Sequence, residues 1–352
     1  MMTATPAQAF SNQVDYCRAN GAPLTAAIVK AVWDGLDPES ALGRLVHDWP
    51  RDPLHDVVPL RVAAGLQALH LSGAEPRLTP LYAGELRREE VGPLVAAVLA
   101  THEAAILPWM KGPPQTNEAG RAAGLMAGLK WLAGQGLGPR FELVEIGSSA
   151  GINLMLDRFR IDLGGTRAGP ADSPVRLAPK WKGPPPPDAP VEIISTTGCD
   201  RDPLDLSSEA DRIRLAAYVW PEMKERTARL HAVFDLAEAH GAPHVVHADA
   251  AEFVETQLAA PRANHVTRVL MHSLVWQYLP VETQARIRLA MEEAGRAATP
   301  AQPLAWVSLE GDRTLLRHVL KVRYWPRGEA EVTLAHGHAH GGWIDWLAEE
   351  GV

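Results

Sequence analysis

Apolar and polar positions change their spacing abruptly around residue 147. A β-branched and aromatic run, Phe141 to Ile146, stops at Gly147, and a helix-compatible series (Ile152, Leu154, Met155) resumes after Gly151. The pattern predicts a strand, a tight turn and a helix. Upstream, to about Met110, the spacing is helical throughout. Val62, Leu66 and Leu69 share one helix face, Leu86 to Leu107 reads as one or two helices, and no alternating strand pattern interrupts them. Asp37-Pro38-Glu39 predicts an N-cap, first-turn proline and acidic first turn of a helix that ends before Pro50. From Lys111 to Arg121 a proline-led break, with Thr116 and Asn117 as candidate caps, feeds a helix through about Leu132.

Downstream, strands and helices alternate. Phe159 to Leu163 and Val175 to Leu177 predict an inserted hairpin, followed by a stiff proline run, Pro184 to Pro187. Val191 to Ser195 predicts a strand that leads into Asp200 and Asp202. A long amphipathic helix covers about Glu209 to His240, with a possible break near Pro221. His244 to Ala248, Val266 to Leu274 and Pro303 to Leu309 read as further strands, separated by a short helix and by one opened by Pro280 and Glu282 and ending near Gly295. Val319 to Trp325 and Glu331 to His336 read as a hairpin.

This order predicts an α/β fold, a Rossmann-like core whose mostly parallel sheet ends in an antiparallel C-terminal strand, behind an all-α N-terminal region. The division expected is a helical cap over residues 1–112 and an α/β domain over 113–352, with an insertion at about 159–190.

The 352 residues carry 46% hydrophobic and 22% charged side chains, ordinary for a globular protein. A net charge of −8 argues against broad nucleic-acid binding, which needs a basic footprint. Cys17 and Cys199 stand alone, without paired metal-ligand spacing, so no cysteine metal site or disulfide framework is expected and the cytoplasm is the expected compartment. The N-terminus lacks the pattern of a signal peptide. The most apolar run, Leu94 to Leu107, contains His102 and Glu103, so no membrane span is expected.

The turn after the first strand admits two chemistries. With Glu145, Gly147, Ser149 and Gly151 it looks like the first motif of class I S-adenosylmethionine-dependent methyltransferases, with Ser149 at the usual middle glycine. As Gly-x-Ser-x-Gly it is a nucleophile elbow with Ser149 as nucleophile. Both place small residues where a sharp turn leaves backbone N–H groups available to a ligand.

More of the chain carries a resemblance. Pro113 to Glu118, Glu145 to Asn153, Gly198 to Asp205, Ala217 to Pro221, His272 to Leu279 and His340 to Trp346 together resemble a bacterial family, domain of unknown function 2332, over nearly the whole length. The resemblance implies a methyltransferase-like Rossmann core with S-adenosylmethionine as cofactor. Carried over, Glu145, Gly147, Ser149 and Gly151 surround its methionine part. Asp200 meets the ribose, with Asp162 as fallback, Asp249-Ala250 meets the adenine, and Ser273 lies near the transferred methyl.

For the acceptor, expected to be a small molecule, Gln115, Asn117, Arg121, Trp276 and Gln277 are the candidate contacts. His272, Tyr278 or His340 are the candidate bases where the acceptor must lose a proton. On a strand, His336, His338 and His340 would share one face within reach of a metal, but no metal site is expected.

The hydrolase alternative has the chain order Ser149, Asp249 or Asp312, then a C-terminal His. It lacks the strands that should precede the elbow. A third reading is a non-catalytic binding module that keeps the fold.

Overall fold

The computed structural model describes residues 4–312, 314, 315 and 317–348. The chain forms two compact units, one of residues 1–116 with 209–228, the other of residues 117–208 with 229–352.

Among its described residues the first unit is helical, with Pro6–Ala19, Pro23–Gly35, Ala41–His47, Val58–Leu71 and Arg88–Ile106 as its main helices. Phe10, Val29, Val62, Leu66, Val95 and Ile106 share its core. Asp37 does not cap a helix. Its carboxylate takes the Glu39 N–H within a turn, and the helix begins only at Ala41, with Ser40 as its N-cap accepting the Gly43 N–H. The stretch Arg88–Met110 is long and apolar enough to cross a membrane by length and composition, yet its Val91, Val95, Val98, Leu99 and Ile106 lie in this core.

The break allowed near Pro221 is present: the stretch Glu209 to His240 forms two helices, Glu209–Ala216 and Lys224–His240, parted by a turn around Trp220-Pro221. The first of them packs in the helical unit, where Gln67 donates to the Val219 carbonyl at 2.8 Å. Glu222 accepts from the Thr25 N–H at 2.8 Å and from its hydroxyl at 2.6 Å.

The second unit holds β1 (Arg140–Ile146), β2 (Arg160–Leu163), β3 (Thr166–Ala168), β4 (Arg176–Leu177), β5 (Lys180–Lys182), β6 (Glu192–Asp200), β7 (Val245–His247), β8 (Thr267–Ser273), β9 (Leu304–Asp312), β10 (Arg317–Trp325), β11 (Gly328–Gly337) and β12 (Trp343–Trp346). Nine of them form one mostly parallel sheet in the order β5-β12-β11-β10-β9-β8-β1-β6-β7. From β7 to β9 every pairing is parallel, and the antiparallel part extends over β9-β10, β10-β11 and β11-β12. Read in chain order, the parallel strands run third-second-first-fourth-fifth. This is the doubly wound order, and its topological switch point lies between β1 and β8.

The small sheet is β3-β2-β4. The inserted hairpin pairs β2 with β3 across Gly164-Gly165, and the stretch after Val175 joins β2 in parallel instead. Gly164 and Gly165, both at positive φ, supply the tight turn and so shorten the hairpin. The element after Gly151 is a 3-10 helix, Ile152–Arg158. Three successive buried residues, Leu154, Met155 and Leu156, demand cover on more than one side and do not suit a one-faced α-helix.

The two faces of the main sheet differ. Glu145, Met271 and Val307 lie side by side across β1, β8 and β9 on the face covered by the wholly buried helix Ala122–Leu132, where a Cβ on Gly128 would come within 3.0 Å of Val307. One residue earlier in each strand, Val144, Leu270 and Trp306 face the helices Ala250–Ala259 and Val281–Arg296 through Phe253, Ile287 and Met291.

Candidate functional site

At the carboxyl end of β1 the chain reverses through three left-handed residues, Gly147 (φ 65°), Ser149 (φ 53°) and Gly151 (φ 73°). Ser149 bears a Cβ in a region that favours glycine. A Cβ on Gly147 would overlap the Val275 side chain. The N–H groups expected to be free for a ligand are largely taken. Ser148 N–H donates to the Cys199 carbonyl (3.0 Å), Ser149 N–H to Asp200 Oδ2 (2.8 Å), Gly151 N–H to the Ser148 carbonyl (2.7 Å) and Ile152 N–H to Asn117 Oδ1 (2.9 Å).

What this turn leaves open are side-chain acceptors. Glu145 is 1% exposed; its Oε1 receives Asn153 Nδ2 at 3.1 Å, and the same amide reaches Ser273 Oγ at 3.4 Å. Glu145 Oε2, Asn153 Oδ1 and Ser149 Oγ are buried with no partner among the described residues. Burial pushes the Glu145 carboxyl up to about 8, although the hydrogen bond from Asn153 pulls the other way. Once the carboxyl releases its proton, all three buried atoms accept, and the set suits a ligand that donates, above all an ammonium, whose charge favours the ionised carboxylate.

The other acids are committed differently. Asp200 Oδ2 holds the Ser149 N–H and Oδ1 the Asp202 N–H at 2.9 Å, so its carboxylate folds back on the turns around it. Asp249 caps the helix Ala250–Ala259 through the Ala251 and Glu252 N–H groups, and Ala250 is that helix's first, buried residue. Asp162 lies in the small sheet, where it receives the Gly165 N–H. It is off the carboxyl edge of the main sheet.

Asn117 and Arg121 join the face of Glu145. Asn117 caps the 3-10 helix, and Arg121, buried, donates from Nε to the Ala339 carbonyl at 3.0 Å. Beside them buried Glu118 lies 3.3 Å from Arg229 Nε and 3.8 Å from His340 Nδ1. Gln115 belongs to the first unit.

His272 sits on the opposite face. Its Nδ1 lies 2.6 Å from Glu310 Oε1, and its Nε2 lies 2.9 Å from Trp306 Nε1. An indole N–H only donates, so Nε2 accepts and Nδ1 carries the proton toward Glu310. Both ring nitrogens are thus engaged, and His272 has no free lone pair for a substrate proton. Trp276 stacks on this ring at 5.1 Å and carries Arg288 over its indole at 4.9 Å. Gln277 and Tyr278 are exposed on the turn that follows.

The histidine tract is not one strand face. His336 lies on β11, while His338 and His340 lie beyond its end at Gly337, with rings 5.5 Å apart. Among the described residues no group of three or more His, Cys, Asp or Glu is arranged to hold a metal ion.

A family model described as an uncharacterized protein conserved in bacteria, DUF2332, matches residues 7–346. The chain belongs to the DUF2332 family. Comparison with curated proteins and with solved structures gives no match. Within this DUF2332 chain, Asn153 and Glu310 are functional candidates that residue-type reasoning passed over. Asn153 stood inside the Gly151-Ile152-Asn153 stretch, and Glu310 closes the alternation Trp306, Ser308, Glu310 on β9.

Proposed function

We propose that the second unit binds S-adenosylmethionine and transfers its methyl group to a small-molecule acceptor. The observation that carries this reading is the buried acceptor set Glu145 Oε2, Asn153 Oδ1 and Ser149 Oγ beside the β1/β8 switch point. A cofactor whose amino-acid end carries an ammonium fits such a set, whereas a ligand anchored by phosphate would need the N–H groups that the protein itself occupies. When bound, the sulfonium supplies an activated methyl group.

In this reading Glu145 and Asn153 hold the ammonium. Asp200 takes ribose hydroxyls with the lone pairs left beside its two backbone bonds, and Ala250 with the cap residue Asp249 borders the base. Ser273 lies next to Asn153 at the end of β8. Asn117 acts by fixing the turn's exit, and Arg121 by holding the segment at Ala339. The two buried, unbridged cysteines, Cys17 and Cys199, support a reducing compartment such as the cytoplasm.

A second reading, a binding module without transfer, is favoured by one observation. His272, the nearest candidate base at the end of β8, has both ring nitrogens engaged. Acceptors that need no base remain open to the first reading. The hydrolase reading is weakened at Ser149, whose hydroxyl has no histidine or other partner among the described residues.

Calorimetry with S-adenosylmethionine and S-adenosylhomocysteine tests the proposal. Binding by the parent, weakened at least tenfold in Glu145→Ala and kept in Ser149→Ala, is the expected result. Absence of heat and of a thermal shift at millimolar ligand, together with ester turnover that disappears in Ser149→Ala, would sink it.

A further inference from the structure

The turn that follows β8 joins the two faces of the sheet. Leu274 is left-handed (φ 54°), a conformation a leucine holds only when its surroundings impose it. Its N–H donates to the Leu309 carbonyl at 3.0 Å. The N–H groups of Val275 and Trp276 both reach Glu310 Oε1, at 3.1 and 3.2 Å, the oxygen that also meets His272 Nδ1. A single carboxylate oxygen therefore gathers three donors, one from the strand and two from the turn. Held this way, Val275 fills the space against Gly147, and Ser273 stays within reach of the Asn153 amide.

We infer that Glu310 is a positioning residue for the acceptor-rich site: from the opposite face of the sheet it fixes the turn Leu274 to Trp276, which seats Val275 on the glycine turn and Ser273 on Asn153. Nothing else in the turn replaces it, because two successive N–H groups at the end of a strand need an acceptor and a carboxylate accepts several donors at once. The ligand arm of the test rests on the methyltransferase reading. The backbone arm does not.

In the backbone arm, amide hydrogen exchange is followed in the parent, Glu310→Ala, Glu310→Gln and Val275→Ala. Exchange is expected to rise at least about tenfold in Glu310→Ala at Val275 and Trp276 and also at Ser148 and Ser149 across the seam, with β6 unchanged. Val275→Ala should loosen Ser148 and Ser149 alone. Glu310→Gln keeps an acceptor oxygen and should stay within about threefold of the parent. If Glu310→Ala does not fold, Glu310→Asp, which withdraws the carboxylate by one methylene, should show the same pattern. Unchanged exchange at Ser148 and Ser149 in these variants overturns the proposal whether or not the parent binds a ligand.

In the ligand arm, S-adenosylhomocysteine affinity should fall about tenfold in Glu310→Ala and recover in Glu310→Gln. The double variant with Val275→Ala should be no weaker than Glu310→Ala by more than about twofold, since both act through one contact. Fully additive losses overturn the proposal. A parent that binds nothing, with the exchange pattern as expected, counts against the methyltransferase reading and leaves the positioning role standing.

Discussion

Glu145 on one face of the sheet and His272 on the other are both buried, titratable and at the carboxyl ends of neighbouring strands, yet their surroundings are opposite. Around His272 every ring nitrogen has a partner, and Glu310, Trp306 and Trp276 complete the set. Around Glu145 three buried polar atoms have none among the described residues. Buried polar groups are paired unless something else is meant to pair them. Saturation therefore gives His272 the character of framework, and deficiency makes Glu145 the candidate for a ligand contact. Residue type alone suggests the reverse, because histidine is the commoner acid-base catalyst.

The largest expected effect concerns the charge of Glu145. Its folded pKa, about 8, lies above its ordinary value. The folded state thus binds the proton more tightly than the unfolded one, and stability falls as pH rises from about 4.5 to about 8. Glu145→Gln removes this slope. It should unfold in urea like the parent at pH 4.5 and be more stable by up to about 5 kcal/mol at pH 8.5. Equal pH dependence of the two proteins would erase the contrast between the faces.

On the saturated face the sign is opposite. His272→Ala leaves the Trp306 N–H and the Glu310 carboxylate short of a partner and opens a cavity, so a loss of about 3–4 kcal/mol is expected at every pH near neutrality. Denaturant unfolding checks it, and a loss below about 1 kcal/mol would mean that His272 is not framework.

Asn153→Ala takes the donor from Glu145 Oε1 and Ser273 Oγ, and should cost about 1–2 kcal/mol by the same measurement. The smallest change is expected at Ser149. Ser149→Gly relieves a left-handed Cβ, and because the hydroxyl has no hydrogen-bond partner among the described residues, it should stabilise by about 1 kcal/mol. Destabilisation there would show that the hydroxyl has a partner in the free protein.

Much of the fold was legible because its signals are local. The apolar runs of β1, β7, β8, β9 and the β10-β11 hairpin, and the opening of Val281–Arg296 at Pro280 and Glu282, sit within a residue or a few of their expected places. β5 and β12 were not legible. Each is four residues or fewer, and β5 joins the sheet by pairing with β12 across more than 150 positions of sequence, while β12 pairs with β11 as well.

The candidate site was legible by position in the fold more than by role. Glu145 and Ser273 lie at the carboxyl ends of β1 and β8, and Ser149 lies in the turn after β1, as the apolar pattern predicts. That Asp249 caps a helix, that Asn117 caps another, and that His272 points to the far face depend on strand parity and on backbone donors, which a linear motif does not carry.

The helical unit is built from residues 1–116 together with residues 209–228, whose Ala217 and Tyr218 pack on Ala64 and Ala68. During synthesis, β1, the glycine turn, the small sheet and β6 all leave the ribosome before Glu222 can meet Thr25 or Val219 can meet Gln67. The first unit must therefore wait, unfinished, for about ninety residues of its neighbour, several seconds at ordinary elongation rates. A fragment cut after residue 116 lacks part of its own core, and the boundary of an expressible helical piece cannot be drawn by a single cut.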